Sequence, residues 1–479
     1  MKVYVLNPPY VDDFCRSARW AAKSRGRVQR HPDYLLIAVA VLEQAGHTVK
    51  FTDGAALNLK AADVEREMRE FAPEMAVFHT TTPSIDNDIS YAALAKKLGV
   101  RITVLVGAHV SAVPEETLRR AHGAVDLIAR AEYDYILRDI AGGKPFGEIA
   151  GISRLADGVY VATPPAPLPD VNSLPFPAWH HIKPEWYHDG GKRFPFLTLI
   201  SGRGCFAECT FCREVQVMSG KKMRFRDPAG IVDEMEHDLK LFPGLKEIMI
   251  ETDTFTASKK HVEGVCNEIL RRGLKITWSC NVRVDVKPEL LELMRKAGCR
   301  MLMTGYEFGT QEALDAVKKG TTLEDARSYT KRARELGFTV HGCFMIGAPG
   351  ETKESARATI EFAKSLPLDT IQISGIAVYP GTEMYDWAKA NGHLIPGDWT
   401  EWVNKDYEQV TLLSYPQMSK EEIDAMIDTG LKEFYLRPRQ MLRMLMNVRS
   451  MGDVKRLLFG VKSFLDYFSA GNKNRAAGH

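Results

Sequence analysis

Phe196-Leu197-Thr198-Leu199-Ile200-Ser201-Gly202-Arg203-Gly204-Cys205-Phe206-Ala207-Glu208-Cys209-Thr210-Phe211-Cys212 is the stretch on which the reading of this chain turns. Its first five residues are an apolar run of strand type, stopped by Ser201-Gly202. The remainder puts three of the eight cysteines within eight residues, spaced Cys-x3-Cys-x2-Cys. Scattered cysteines in a reducing compartment are usually buried small hydrophobes, but a tight cluster needs its own explanation. Three thiolates on one loop can bind three irons of a cubane cluster. With no fourth cysteine nearby, the fourth iron keeps an open site able to chelate amine and carboxylate groups. Gly202 and Gly204 allow close backbone approach. Zinc and inert core thiols are the competing readings. Structural zinc takes four ligands, and no cysteine or histidine lies within the 20 residues after Cys212.

Outward from this loop toward the C-terminus, strand-like runs recur at 196–200, 247–251, 276–280, 301–306, 339–346 and 370–378, with helical patterns such as 288–297 and 323–336 between them. Six β/α repeats predict a partial (β/α)6 TIM barrel over 194–395, whose chemistry sits on the loops after the strands. Toward the N-terminus, prolines 164, 165, 167, 169, 175 and 177 crowd a segment read as a linker without elements, 146–193. Before it, strands at 3–7, 48–52, 75–79, 102–106 and 125–128 alternate with helical stretches such as 34–44. This predicts a Rossmann-like, flavodoxin-type parallel-sheet domain over 1–145, with ligands at the carboxyl ends of its strands. Residues 396–479 read as a helical C-terminal domain, with a polar, disordered tail at 471–479. The expected class is therefore α/β.

Composition excludes little but constrains the setting. The 479 residues are 45% hydrophobic and 26% charged, with net charge +2, so nothing global points to nucleic acid. Charged residues interrupt the first 30 positions, against a signal peptide, and no apolar run is long enough to span a membrane. A cytoplasmic protein is expected. Arg437, Arg439, Arg443, Arg449, Lys455, Arg456 and Lys462, interleaved with Leu, Met and Phe, suggest a basic amphipathic helix over 437–468. Two readings stand for it: peripheral contact with the inner face of a membrane, or packing on the barrel mouth. A second basic stretch, Arg16, Arg19, Lys23, Arg25, Arg27 and Arg30, follows the first strand, where it can meet an anionic group or simply face water.

The cysteine triplet, with an aromatic before its last member and a barrel strand before its first, resembles the radical S-adenosylmethionine (SAM) signature. The resemblance implies a 4Fe-4S cluster on Cys205, Cys209 and Cys212. It also implies one-electron cleavage of SAM to a 5′-deoxyadenosyl radical, and an electron donor of flavodoxin or ferredoxin type. Later strand ends carry the resemblance further. Glu251 and Asp253, in Glu251-Thr252-Asp253, correspond to the segment contacting the methionine amine, although the first member of the usual Asp-Asp pair is Thr252. Arg283 suits the SAM carboxylate. Glu307 corresponds to a ribose reader, and Ile346 and Gly347 lie in the adenine-contacting stretch. Tyr379-Pro380-Gly381-Thr382 closes the sixth strand.

The N-terminal domain ahead of such a barrel resembles the cobalamin-binding radical SAM class, which includes the anaerobic Mg-protoporphyrin monomethyl ester cyclase and hopanoid-modifying enzymes. Asn7, Thr80, Thr81, Thr82, Gly107 and His109 fall where that class seats cobalamin. The Asp-x-His-x-x-Gly motif of many cobalamin domains is absent: counting from Asp53, the chain has Ala55 and Asn58. No lower cobalt ligand comes from it, and His79 and His109 are the nearby alternatives. The resemblance implies modification of an unactivated carbon of a small molecule or lipid, foremost C-methylation. The alternative is cyclisation, rearrangement or oxidation of a lipid or tetrapyrrole without methyl transfer.

Overall fold

The computed structural model describes residues 1–17, 20–24, 28–446, 454, 458 and 460–462. Its N-terminal sheet has seven strands in the spatial order Thr48–Asp53, Lys2–Asn7, Met75–His79, Ile102–Val106, Leu127–Ala129, Ile152–Ala156 and Val159–Ala162. The first five are parallel and the last two antiparallel. The parallel part has flavodoxin-type order, so its switch point lies between the first and third strands in sequence. The four strands Lys2–Asn7, Met75–His79, Ile102–Val106 and Leu127–Ala129 are buried almost throughout because helices cover the sheet. Helix Asp33–Gln44, entered from Pro32, buries Leu35, Leu36, Val39 and Leu42 and starts at that switch-point edge.

The last two strands correct the reading of 146–193 as free of elements. Asp157 and Gly158 both adopt positive φ (51° and 77°), the requirement of a two-residue hairpin turn. The Asp-Gly signal between short alternating runs was present in the sequence, and the prolines begin only after the hairpin ends.

The second sheet is six-stranded and parallel, in sequence order: Phe196–Leu199, Glu247–Ile250, Thr277–Val282, Cys299–Glu307, Thr339–Ile346 and Thr370–Gly375. Among the described residues its first and last strands do not pair, so the barrel is partial. Helices Lys259–Arg272, Pro288–Lys296, Leu323–Glu335 and Lys353–Ser365 cover its outside.

The two sheets share one core and are tied at their ligand edges. Arg203, after the first barrel strand, is buried against Glu132 (2.9 Å) and Asp134 (2.6 Å) of the N-terminal domain. Thr198 donates to Asp33 across the same seam. Helix Lys420–Tyr435 carries a Ser419/Glu422 capping box and packs on the last strand. Helix Pro438–Met446 follows, with Leu442, Leu445 and Met446 exposed. Most of 447–468 and the tail 471–479 lie outside the described residues. No described helix is long and apolar enough to cross a membrane.

Candidate cluster and cofactor site

The cysteine loop is built by its glycines. Gly202-Arg203 pairs with Arg224-Phe225 in a short antiparallel ribbon. Gly204 has φ +90°, and a Cβ there would collide with the carbonyl of Lys222. Cys205 and Cys209 are buried and Cys212 half-buried. The Cys205 sulfur lies 3.6 Å from the Thr254 hydroxyl. Burial raises the Cys209 and Cys212 thiols, Cys212 to about 12, and the neighbouring cysteine raises each further. Such crowded thiols ionise when a cationic metal centre supplies the missing counter-charge.

The barrel edge around this loop collects the other expected residues. Glu251 lies 3.4 Å from Arg30 of the N-terminal domain. Thr252 receives the Ser201 N–H (2.8 Å), a structural role for the departure from Asp-Asp. Arg283 donates to Asp285 (3.1 Å) and to the carbonyls of Lys319 and Gly320, and lies over the Phe206 ring. Glu307, at φ 63°, pairs with buried Lys319 (2.6 Å), a partner the sequence did not announce. Gly347 turns at φ +106°, and its N–H and that of Ala348 donate to Glu351. Ile346 is buried beneath that turn.

The opposite edge is less open to ligands than the sequence suggests. Asn7 is engaged inside the protein, donating to Asp53 (2.8 Å) and accepting from Arg16 (3.1 Å). Asp53 in turn accepts from Tyr187 (2.8 Å). Thr80 bonds the Val106 carbonyl, and Thr81 bonds Ser84. Gly107, at φ +117°, leaves no room for a Cβ, which would lie 2.8 Å from the Thr80 carbonyl. His109 bonds Thr82 through Nδ1 (3.3 Å) and meets Trp399 edge-on. Its Nε2 and the Nδ1 of His79 are buried without a partner among the described residues. Burial, then the nearby arginines, hold both imidazoles neutral, with pKa lowered to about 3. Two arginines of the basic stretch are engaged by carboxylates of the protein itself. Arg16 is fully buried against Asp88 (2.8 Å), and Arg30 pairs with Asp189 (3.0 Å). Arg19, Arg25 and Arg27 lie outside the described residues.

Between the edges runs one cleft, lined by Arg16, Asp33, Tyr34, His79 and Tyr133 from one domain and by Thr198, Glu214, Glu251 and Asp253 from the other. Three thiols on one wrapped loop fit an iron–sulfur cluster. The tight Gly107 turn and two neutral, unpartnered imidazole nitrogens fit a large flat metal-bearing ligand on the facing edge. Residues 199–363 match the radical SAM superfamily, and residues 29–141 match the B12 binding domain family. The chain carries a radical SAM domain and a B12-binding domain. It is 29% identical over 419 residues to an uncharacterised methyltransferase, PH0819, of Pyrococcus horikoshii, covering 86% of this chain and 89% of that protein. It is 26% identical over 379 residues to the anaerobic magnesium-protoporphyrin IX monomethyl ester cyclase of Rubrivivax gelatinosus, covering 74% and 65%. The radical SAM methyltransferase TsrM from Kitasatospora setae, solved with cobalamin and a [4Fe-4S] cluster, shares the fold at TM-score 0.71 and 17% identity, over 97% of this chain and 99% of that one.

Within the superfamily frame, Asp33, Glu214 and Lys319 are the site residues that sequence reasoning missed. Only Glu214, two places after Cys212, carried a positional signal. Asp33 opens a helix distant in sequence, and burial raises its carboxyl to about 8.

Proposed function

We propose that this protein is a cobalamin-dependent radical SAM enzyme that transfers a methyl group to an unactivated carbon of a small molecule. The observation that carries the reading is the cleft lined by Asp33, Tyr34, His79 and Tyr133 from the B12-binding side and by Glu214, Glu251 and Asp253 from the cysteine-loop side. A substrate there is within reach of both cofactors. When bound, the 4Fe-4S cluster supplies an electron to cleave SAM and the cobalamin carries the methyl group.

The chain's own residues do the rest. Cys205, Cys209 and Cys212 hold the cluster, and Glu251 and Asp253 accept from the SAM ammonium. Arg283 faces its carboxylate, Glu307 its ribose, and the Ile346-Gly347 turn its adenine. Thr80, Thr81, Thr82, Gly107 and His109 shape the corrin seat, with Asn7 bracing it from behind. The two domains close a cavity that keeps water from a reactive radical. A flavodoxin- or ferredoxin-type protein delivers the electron, and helix Pro438–Met446 meets the inner membrane surface through exposed Leu442 and Leu445.

The name of the Pyrococcus relative, a methyltransferase, supports this reading. That of the cyclase relative favours the second: bond-forming oxidation without methyl transfer. SAM carrying an isotopically labelled methyl group separates them. Label in the product, with both 5′-deoxyadenosine and S-adenosylhomocysteine released, is expected. Deoxyadenosine with no S-adenosylhomocysteine and no label in the product overturns methylation.

A further inference from the structure

Four residues after Cys212, Gln216 makes more contacts with the cysteine loop than any role assigned above requires. Its amide nitrogen donates to the carbonyls of Cys209 (3.1 Å), Thr210 (3.0 Å) and Cys212 (3.3 Å). Its amide oxygen accepts from the backbone N–H of Glu383 (2.8 Å). Three acceptors on one side and a donor on the other leave no ambiguity in which end is nitrogen.

Glu383 opens helix Glu383–Ala390, directly after the Tyr379-Pro380-Gly381-Thr382 turn. The N–H of Met384 donates to the Thr210 carbonyl as well (3.0 Å). The close approach is enforced: a Cβ on Gly381 would lie 2.9 Å from the Val217 side chain. Gln216 sits in the π-helical turn Glu214–Ser219, a wide turn of the kind found at functional sites. In that turn the backbone of Val215 lies beside the Cys212 thiol. Each peptide plane carries its C=O and N–H on opposite sides. Fixing three carbonyls of this loop therefore fixes where its N–H groups point. Hydrogen bonds to cluster sulfurs are a main determinant of cluster potential.

We infer that Gln216 is a positioning residue for the iron–sulfur cluster, its amide clamping the carbonyl side of the cysteine loop to the helix after the sixth strand and so setting the cluster's potential and the presentation of its open iron. The inference rests on the cluster reading above. It explains the turn after the sixth strand as a buttress for the cysteine loop.

The test uses the full-length, anaerobically reconstituted protein. Gln216→Met keeps the volume and loses every bond, whereas Gln216→Glu keeps the acceptor for Glu383 and loses donation to the carbonyls. The second variant guards against collapse of the first, and circular dichroism verifies folding. Both folded variants are expected to release iron to a chelator severalfold faster than wild type. Their cluster potential should shift negative, and the change that SAM induces in the electron paramagnetic resonance spectrum should weaken. Wild-type protein with four irons and a SAM-sensitive spectrum, beside folded variants identical in spectrum, potential and iron release, overturns the positioning role alone. Wild-type protein that assembles no cluster overturns the underlying reading with it.

Discussion

Glu351 shows how one buried carboxyl is held by its surroundings. Burial raises it to about 7, although the N–H groups of Gly347 and Ala348 pull the other way. In the unfolded chain it ionises near the ordinary glutamate value, so between roughly pH 4.5 and 7 the folded state holds the extra proton. The associated stability, about 3 kcal/mol, is complete below that window and is lost as pH rises through it. Glu351→Gln keeps an acceptor for both N–H groups and cannot ionise. Its unfolding free energy is expected to fall less between pH 5 and 8 than that of wild type, as read by urea titration. Cys209 is the second residue-scale case. With Ala there, two thiols remain and cluster assembly is expected to fail, together with all SAM cleavage. An iron-loaded, active Cys209→Ala variant would refute the ligand set.

At the scale of elements, strand ends and the turns after them make the site. Gly107 joins strand Ile102–Val106 to helix Ala108–Ala112 in a conformation that L side chains rarely adopt. Gly107→Ala is expected to cost about 1–3 kcal/mol through backbone strain and the contact with Thr80. Corrin retention should drop with it, which calorimetry and the bound-cobalamin absorbance measure. Helix Pro438–Met446 presents Leu442 and Leu445 to solvent, 58% and 61% exposed, next to Arg439. Arg437 and Arg443 reach inward to the carbonyls of Lys364 and Leu368. Replacing Leu442 and Leu445 by Glu is expected to weaken co-sedimentation with phosphatidylglycerol vesicles and to leave iron content unchanged. Equal sedimentation of variant and wild type would reject membrane contact through this helix.

For the whole molecule, the decisive contact is the seam between the sheets. Arg203 is buried with Glu132 and Asp134, and Arg224 joins them through Glu132. Removing the central cation strands Asp134 and leaves Glu132 to Arg224 alone, and breaking a buried pair in this way typically costs about 3–5 kcal/mol. Arg203→Met is therefore expected to lower the denaturant midpoint and to loosen the cleft both cofactors share. An unchanged midpoint would show that the seam is held elsewhere, for instance by Thr198 on Asp33 or by Arg120 on Asp398 (3.0 Å).

The sequence by itself determined the elements and the chemistry of the cysteine loop. Apolar periodicity and glycine punctuation are local properties, and ligand spacing on one loop is local too, so both sheets and the three thiols were legible before any coordinates. The hairpin at 152–162 was legible in principle, through Asp157-Gly158, but the prolines beyond it obscured the signal. Tertiary structure alone decided which polar side chains face the cleft. Arg16, which could equally have met an anionic group or faced water, is a buried counter-ion of Asp88, and Asn7 is engaged by Asp53 and Arg16. Asp33 and Lys319 carried no local sign of their place, and Gln216 none of its three carbonyl partners. The physical reason is that a side chain's partner is chosen by what the fold brings opposite it, from residues far apart in the chain, and no local pattern encodes that meeting.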